Sequence, residues 1–424
     1  MSGSVSQPRA AVVVTGSELL TGAISDKNGP WVAEHLGELG FEVSHVLVVG
    51  DRPADLADAL QFVRGAALVV TSGGLGPTAD DLTAEVVAGF AGVPLELDEP
   101  MRAHIADILA AWARRTGFDG PALEEANRKQ AMVPRGATAL TPVGTAPGLV
   151  VTVPDGPVVV VLPGPPRELQ GMWPAALAAE PVRALLESVP PARSRSLRYY
   201  GLPESEIAAT LRDIGAGGLD LSGIEITTCL RRSELEVDLR PGPGASADAL
   251  ADALIAAHER HLVSADGTST DALVATGLLD KGWTVATGES CTGGMLASRL
   301  IDRAGSSAYV AGGVVAYSNA AKTALLGVPA EMIAEHGAVS PEVARALADG
   351  ARERFGADVG IGITGVAGPG GGTEAKPVGY VCFCVTTADG VVIARDPRLP
   401  GDRSDVRERS TDAAMHLLLR AVRG

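Results

Sequence analysis

Thr284-Val285-Ala286-Thr287-Gly288-Glu289-Ser290-Cys291-Thr292-Gly293-Gly294-Met295-Leu296-Ala297-Ser298-Arg299-Leu300-Ile301 runs from an apolar segment that opens at Trp283, through a glycine-bounded turn, into a helical pattern. Strand, turn and helix in that order are the repeating unit of an α/β fold. The turn exposes a side chain and aims backbone N–H groups at whatever lies ahead of the helix. A hydroxyl at Ser290 and a thiol at Cys291 point there to nucleophilic chemistry. The competing reading is a tight turn whose Ser and Thr only cap the helix.

The chain downstream favours chemistry. Tyr317-Ser318-Asn319-Ala320-Ala321-Lys322 follows the β-like run Tyr309 to Ala316. Ser318-Asn319 is a turn or cap signal, so a bend is predicted between Tyr317 and Lys322. On one straight helix those two side chains would not share a face, but across a bend they can converge. A second glycine-rich loop, Ile363 to Thr373, follows the strand-like Asp358 to Ile363 and requires close backbone approach or positive φ.

These segments resemble the C-terminal domain of the CinA family, the nicotinamide mononucleotide deamidases. The matching residues are Glu289 to Gly294, Gly312 to Asn319 with Lys322, Gly337 to Ser340, Thr364 to Gly372, Lys376 to Gly379 and Gly401-Asp402-Arg403. The resemblance implies hydrolysis of nicotinamide mononucleotide to nicotinic acid mononucleotide and ammonia, without a cofactor. Ser290 is then the expected nucleophile. Lys322 is the expected base, as in Ser-Lys variants of the triad, because the matched motifs contain no His. To act it must be neutral, which predicts a depressed pKa. Tyr317 is expected to relay the proton or orient Lys322. Backbone N–H groups of Thr292, Gly293 and Gly294 are expected oxyanion donors. Gly368 and Gly370 are expected to approach substrate. Arg403 is expected to grip the phosphate, with Arg407 an equal candidate. Cys291 is a rival nucleophile that lacks an evident His partner.

A second signature opens the chain. Ala11 to Thr15 is β-like, Asn28 opens a helical pattern to Gly40, Val46 to Val49 reads as a strand, and Ala57 to Arg64 as a helix. Leu68-Val69-Val70 then leads into Thr71-Ser72-Gly73-Gly74-Leu75-Gly76-Pro77-Thr78-Ala79-Asp80-Asp81-Leu82-Thr83. Alternating strands and helices predict a parallel α/β sheet with its ligand beyond the carboxyl ends of the strands. Gly73, Gly74 and Gly76 let amides approach a pyrophosphate, and Thr78 adds a hydroxyl donor. Asp80 and Asp81, with Glu18 and Asp26 nearby in the reading, suggest a divalent metal. The alternative is that one of the two aspartates caps the helix from Leu82.

This half resembles the molybdopterin-binding-like domain of full-length CinA, with Val143 to Gly148 and Leu162 to Leu169 also fitting. It implies metal-dependent hydrolysis of ADP-ribose or a related dinucleotide pyrophosphate. Thr141-Pro142 departs from the Asn-Pro often found in the family and removes any amide role there. The expected organisation is therefore α/β: a molybdopterin-binding-like parallel α/β domain over 9–172, a small α+β middle domain over 173–263, and a C-terminal α/β deamidase domain over 264–424. The middle domain rests on a hairpin, Ile224 to Leu230 with Leu235 to Arg240, behind a connector at 190–196. Together the two activities would return pyridine nucleotides to NAD synthesis. The alternatives are a single active domain or a non-catalytic nucleotide- or pterin-binding module.

A net charge of −16 argues against broad nucleic-acid affinity. Aromatic residues make up only 4%, so Ala, Val, Leu and Ile must fill the cores. Cys229, Cys291, Cys382 and Cys384 show no metal spacing, and no apolar run is long enough to span a membrane. A reduced cytoplasmic protein is expected, and the resemblance implies a homodimer acting on small nucleotides.

Overall fold

The computed structural model describes residues 7–116, 121–189, 194–242 and 245–423. The first residues of the chain and most of the expected connector (190–193) lie outside the described residues. The chain divides into two compact units, one ending at residue 193 and one beginning at Ser194.

In the first unit, β1 (Arg9–Thr15), β2 (Glu42–Val49) and β3 (Leu68–Ser72) precede a small two-stranded sheet of β4 (Leu95–Leu97) and β5 (Met132–Pro134); β6 (Thr138–Leu140), β7 (Gly148–Thr152) and β8 (Val158–Leu162) follow. The main sheet runs β2-β1-β3-β8-β7-β6. Its first four strands are parallel, whereas β7 and β6 pair antiparallel, so the expected parallel sheet is in fact mixed. Strand alternation builds two cores. Ala10, Val12 and Val14, with Leu68, Val70, Val160 and Leu162, pack on one face. Ala11, Val13, Val69, Val159 and Val161 pack on the other. Burial on both faces is why these strands read as unbroken apolar runs.

The boundary expected at 172 falls inside the helix Pro166–Ala178. Leu169, Met172, Trp173 and Ala176 of that helix, and Val182 of the next, share one core with β1 and β3. The apolar face continues past residue 172, so both helices belong to the first unit.

The second unit contains two sheets. β9 (Arg195–Tyr200), β10 (Ile224–Arg231), β11 (Glu234–Pro241) and β12 (Leu262–Ser264) form an antiparallel sheet in the order β10-β11-β9-β12. Arg195 and Ser196, expected in the connector, begin a strand. The hairpin turns through Arg232 and Ser233, at φ 49° and 61°, which matches the right-handed twist of its strands. This sheet has its own core, with Leu197, Tyr199, Val237 and Leu254, and lies in the same compact unit as the last one. Ser233 donates to Asp412 at 2.6 Å, and Tyr200 stacks on His416 at 3.6 Å between ring centroids. Buried Arg299 joins Asp271 and Asp412.

The last sheet holds β13 (Val285–Glu289), β14 (Val310–Val315), β15 (Val359–Gly365), β16 (Val381–Thr387) and β17 (Val392–Arg395), in the order β14-β13-β15-β16-β17. The first three are parallel and the last two antiparallel. Val359, Ile361 and Ile363 enter the core shared with the helix Arg403–Arg423. On the other face, a Cβ at Gly360 or Gly362 would collide with the carbonyl oxygens of Ala348 and Ala344. These glycines let the helix Pro341–Phe355 lie directly on the sheet backbone. That helix starts with Ser340 accepting from the Val343 amide at 3.3 Å and stops at Gly356 with φ 61°. Among the described residues, no helix is long and apolar enough to cross a membrane.

Candidate active site

Ser290 sits at the carboxyl end of β13, where its amide donates to the Ile363 carbonyl of β15 at 2.9 Å. Gly293 and Gly294 follow with φ 64° and 94°, left-handed values that favour glycine, and the helix Met295–Ile301 begins. From the next strand, β14, the chain turns at Ser318, whose hydroxyl oxygen accepts from the Ala321 amide and caps the helix Asn319–Leu326. The predicted bend is therefore present, and it carries Lys322 inward. Lys322 is 1% exposed and Ser290 is 7% exposed. Lys322 Nζ lies 3.0 Å from Ser290 Oγ, 3.0 Å from the Ala316 carbonyl oxygen and 3.2 Å from that of Tyr317.

This arrangement suits both protonation states of the lysine. As an ammonium it has three protons and three acceptors. As an amine it gives its two protons to the two carbonyls, and its lone pair then faces a partner that can donate, the Ser290 hydroxyl. Burial lowers the Lys322 pKa below the ordinary lysine value, with a smaller opposing effect from Cys291. Cys291 is itself buried among apolar side chains, and burial pushes its thiol up to about 11. At neutral pH it is a protonated core thiol, poorly suited to be the rival nucleophile.

The turn departs from expectation in its amides. The Gly293 amide donates to the Ser290 carbonyl at 3.2 Å, and the Gly294 amide donates to Glu289 Oε2 at 2.9 Å. Neither is free for an oxyanion. The amides of Cys291 and Thr292 have no oxygen acceptor among the described residues and face only the Cys291 sulfur, a weak acceptor, so these two form the available donor pair. Glu289, to which the sequence reading assigned no role, is fully buried. Its carboxylate also accepts from the Leu296 and Ala297 amides and the Thr287 hydroxyl.

Tyr317 is 63% exposed, and its hydroxyl meets neither Lys322 nor Ser290. It accepts from Arg403 Nη2 at 3.3 Å, while its carbonyl, not its ring, orients Lys322. Exposed Arg403 also donates to the Gly368 carbonyl at 2.7 Å, which places the second glycine loop beside the site. Arg407 spends Nε and Nη2 on the carbonyls of Cys291 and Thr292, at 3.1 Å each. It braces the turn and is less available for a phosphate than Arg403. Gly368 has φ 83° and abuts Val378, whereas Gly370 faces open space, with no steric need for glycine.

In the first unit, Gly73 and Gly74 have φ 106° and 67° and lie against Thr15 and Thr83. Gly76 packs on the Asp81 carboxylate. Asp81 accepts from the Thr78 amide at 2.9 Å and from its hydroxyl, and Lys129 donates to the Thr78 carbonyl. Asp81 thus ties its own loop, and no side chain caps the helix at Thr83. Exposed Asp80 has its pKa lowered, chiefly by the Thr78 hydroxyl. The expected metal ligands do not converge: Asp80, Asp81 and Glu18 line three separate cavities. Among the described residues no three His, Cys, Asp or Glu side chains are placed to hold a metal ion. Adjacency in sequence misled here because the loop turns the two aspartates apart.

The cavity beside Glu18, about 680 Å³, includes Asp26, Ser72 and Gly164 in its wall. Asn28, which the sequence marks only as a helix start, is buried there. Its Nδ2 donates to Ser72 Oγ at 2.8 Å and to the Gly164 carbonyl at 2.6 Å. Its Oδ1 is buried without a partner among the described residues, a costly state unless something donates to it.

A family model described as "CinA C-terminal domain" matches residues 267–422, and one described as "Probable molybdopterin binding domain" matches residues 11–182. A "CinA-like protein" of Mycobacterium sp. (strain MCS) is 58% identical over 420 residues, covering 98% of this chain and 99% of the relative. A "CinA-like protein" of Mycobacterium tuberculosis (strain ATCC 25177 / H37Ra) is 53% identical over 426 residues, with 98% of each chain covered. The solved structure of the "competence/damage inducible protein CihA from Agrobacterium tumefaciens" is 37% identical, covering 38% of this chain and 100% of that chain, with a TM-score of 0.35.

Proposed function

Because this chain belongs to the CinA family, we propose that its C-terminal unit hydrolyses the carboxamide of nicotinamide mononucleotide through Ser290. The observation that carries this reading is the buried contact of 3.0 Å between Ser290 Oγ and Lys322 Nζ. Neutral Lys322 takes the hydroxyl proton as Ser290 Oγ attacks the amide carbon. The amides of Cys291 and Thr292 stabilise the oxyanion. Collapse breaks the C–N bond, and Lys322 returns the proton to the departing ammonia. Water, deprotonated by Lys322, then cleaves the acyl-enzyme and frees nicotinic acid mononucleotide. Arg403 meets the phosphate with the donors it does not give to Gly368 and Tyr317.

The test is ammonia release from nicotinamide mononucleotide, followed across pH. Lys322 acts only when neutral, and the neutral fraction grows as pH rises. kcat/KM should therefore climb with pH through the depressed lysine pKa and level off below the ordinary lysine value. No ammonia from the purified chain would end the deamidase reading. An ascending limb at the unperturbed lysine value would remove Lys322 from the base role.

For the first unit we infer hydrolysis of ADP-ribose or a related dinucleotide pyrophosphate. The positive-φ glycines at 73 and 74 and the unpartnered Asn28 Oδ1 in the wall of a ligand-sized cavity favour it. AMP should appear from ADP-ribose, and Asn28→Ala should lower kcat/KM by about tenfold or more, the scale of one lost buried hydrogen bond. Tight ADP-ribose binding without AMP formation would make this unit a binding module.

A further inference from the structure

Between the antiparallel sheet, the edge of the last sheet and the helix Arg403–Arg423, the second unit forms an open cavity of about 810 Å³ that takes no part in the Ser290 site. Its wall combines apolar Phe383 and the Tyr200–His416 stack with three arginines: Arg260, Arg395 and Arg420. Among the described residues, the guanidiniums of Arg260 and Arg420 have no hydrogen bond or ion pair, and that of Arg395 donates through Nη1 to the neighbouring Ala394 carbonyl. The carboxylate in the wall, Asp396, accepts from the Tyr380 hydroxyl at 3.0 Å. Acidic residues outnumber basic ones in this chain by 51 to 35. Three exposed guanidiniums lining one cavity without a carboxylate partner among the described residues are thus the reverse of what composition favours.

We propose that this cavity is a second nucleotide site, with the phosphates held by Arg260, Arg395 and Arg420 and the base against the aromatic wall. Guanidiniums match phosphate oxygens in fork geometry. Inorganic phosphate would leave most of the volume empty, and an acyl chain would leave three cations unpaired. The cavity volume is of ligand size. The site is independent of the reaction at Ser290. Two elements join it to that site: β16, whose Phe383 pairs with Ile363, the acceptor of the Ser290 amide, and the helix Arg403–Arg423, along which Arg420 lies about 20 Å from Arg407 at the standard helical rise.

Hydrogen exchange of the full chain, with and without AMP, ADP or inorganic pyrophosphate at millimolar concentration, tests this. AMP and ADP should slow exchange in segments 392–398 and 413–422, and pyrophosphate should do so less. The double variant Arg395→Glu with Arg420→Glu should lose that protection. Both residues are exposed, so its melting temperature should stay close to that of the parent. If it falls, Arg260→Ala carries the same test. The proposal fails if no nucleotide protects these segments, if protection survives charge reversal, or if it is confined to the first unit. Equal protection by pyrophosphate would make this a simple anion site and overturn the nucleotide assignment.

Discussion

Ser290→Ala and Lys322→Ala are each expected to reduce ammonia release from nicotinamide mononucleotide by about a thousandfold or more, the scale seen when a nucleophile or its base is removed. The double variant should be no worse than either single one, because nucleophile and base act as one unit and their losses do not add. Lys322→Arg should be as inactive as Lys322→Ala, since a guanidinium stays protonated and cannot accept the Ser290 proton. Cys291→Ala should keep most of the activity. Its thiol faces the core cluster and is held protonated by burial, so the substitution creates a small cavity but removes no reacting atom. Steady-state kinetics of the five variants decide the matter. A thousandfold loss confined to Cys291→Ala would transfer the nucleophile to the thiol. Multiplying losses in the double variant would mean that Ser290 and Lys322 act separately.

The approach of Lys322 to Ser290 was legible because local signals suffice for it. An apolar run ending at a Gly-Gly turn places Ser290 at a strand end, and the Ser318 cap bends the chain enough to bring Lys322 inward. The roles of the surrounding groups depend on tertiary neighbours, and there the reading failed. Gly293 and Gly294 looked like oxyanion donors, yet one amide closes the turn and the other answers a carboxylate. Tyr317 looked like a relay, but its ring points to Arg403 while its carbonyl does the orienting. Asp80 and Asp81 looked like a chelating pair, but neighbours on a loop need not face the same way. Among the strands, alternation identified β1 and β3, whose neighbours are joined to them through helices. The antiparallel edge formed by β6 and β7 carries no such helical punctuation. Glycine inside a strand weakens it, and only the helix lying on Gly360 and Gly362 explains their presence in β15.

Glu289→Ala is expected to cost the second unit on the order of 5 kcal/mol, because it leaves one buried and two half-buried backbone donors unanswered at roughly 1–3 kcal/mol each. The wild-type carboxylate accepts from Gly294 at 2.9 Å, Leu296 at 3.1 Å and Ala297 at 2.8 Å, besides the Thr287 hydroxyl at 3.1 Å. Those amides belong to the first turn of a short helix, whose first N–H groups have no partner within it. A loss of this size is comparable to the whole stability of an ordinary domain. Glu289→Ala should therefore accumulate poorly or unfold far below the wild type. Glu289→Gln separates stability from catalysis. It keeps the shape and one accepting oxygen but turns an –NH2 donor toward amides that also donate. A folded variant destabilised by about 2–3 kcal/mol is expected, the cost of two misdirected hydrogen bonds. Its kcat for ammonia release should fall more than its KM rises. The displaced turn misaims the Cys291 and Thr292 amides, which matter most once charge has developed in the transition state. Urea unfolding of the second unit gives the stability change, and steady-state kinetics the split. If both variants keep wild-type stability, Glu289 does not hold the helix start. If Glu289→Gln is destabilised with kcat unchanged, the carboxylate supports the fold and leaves the oxyanion donors untouched.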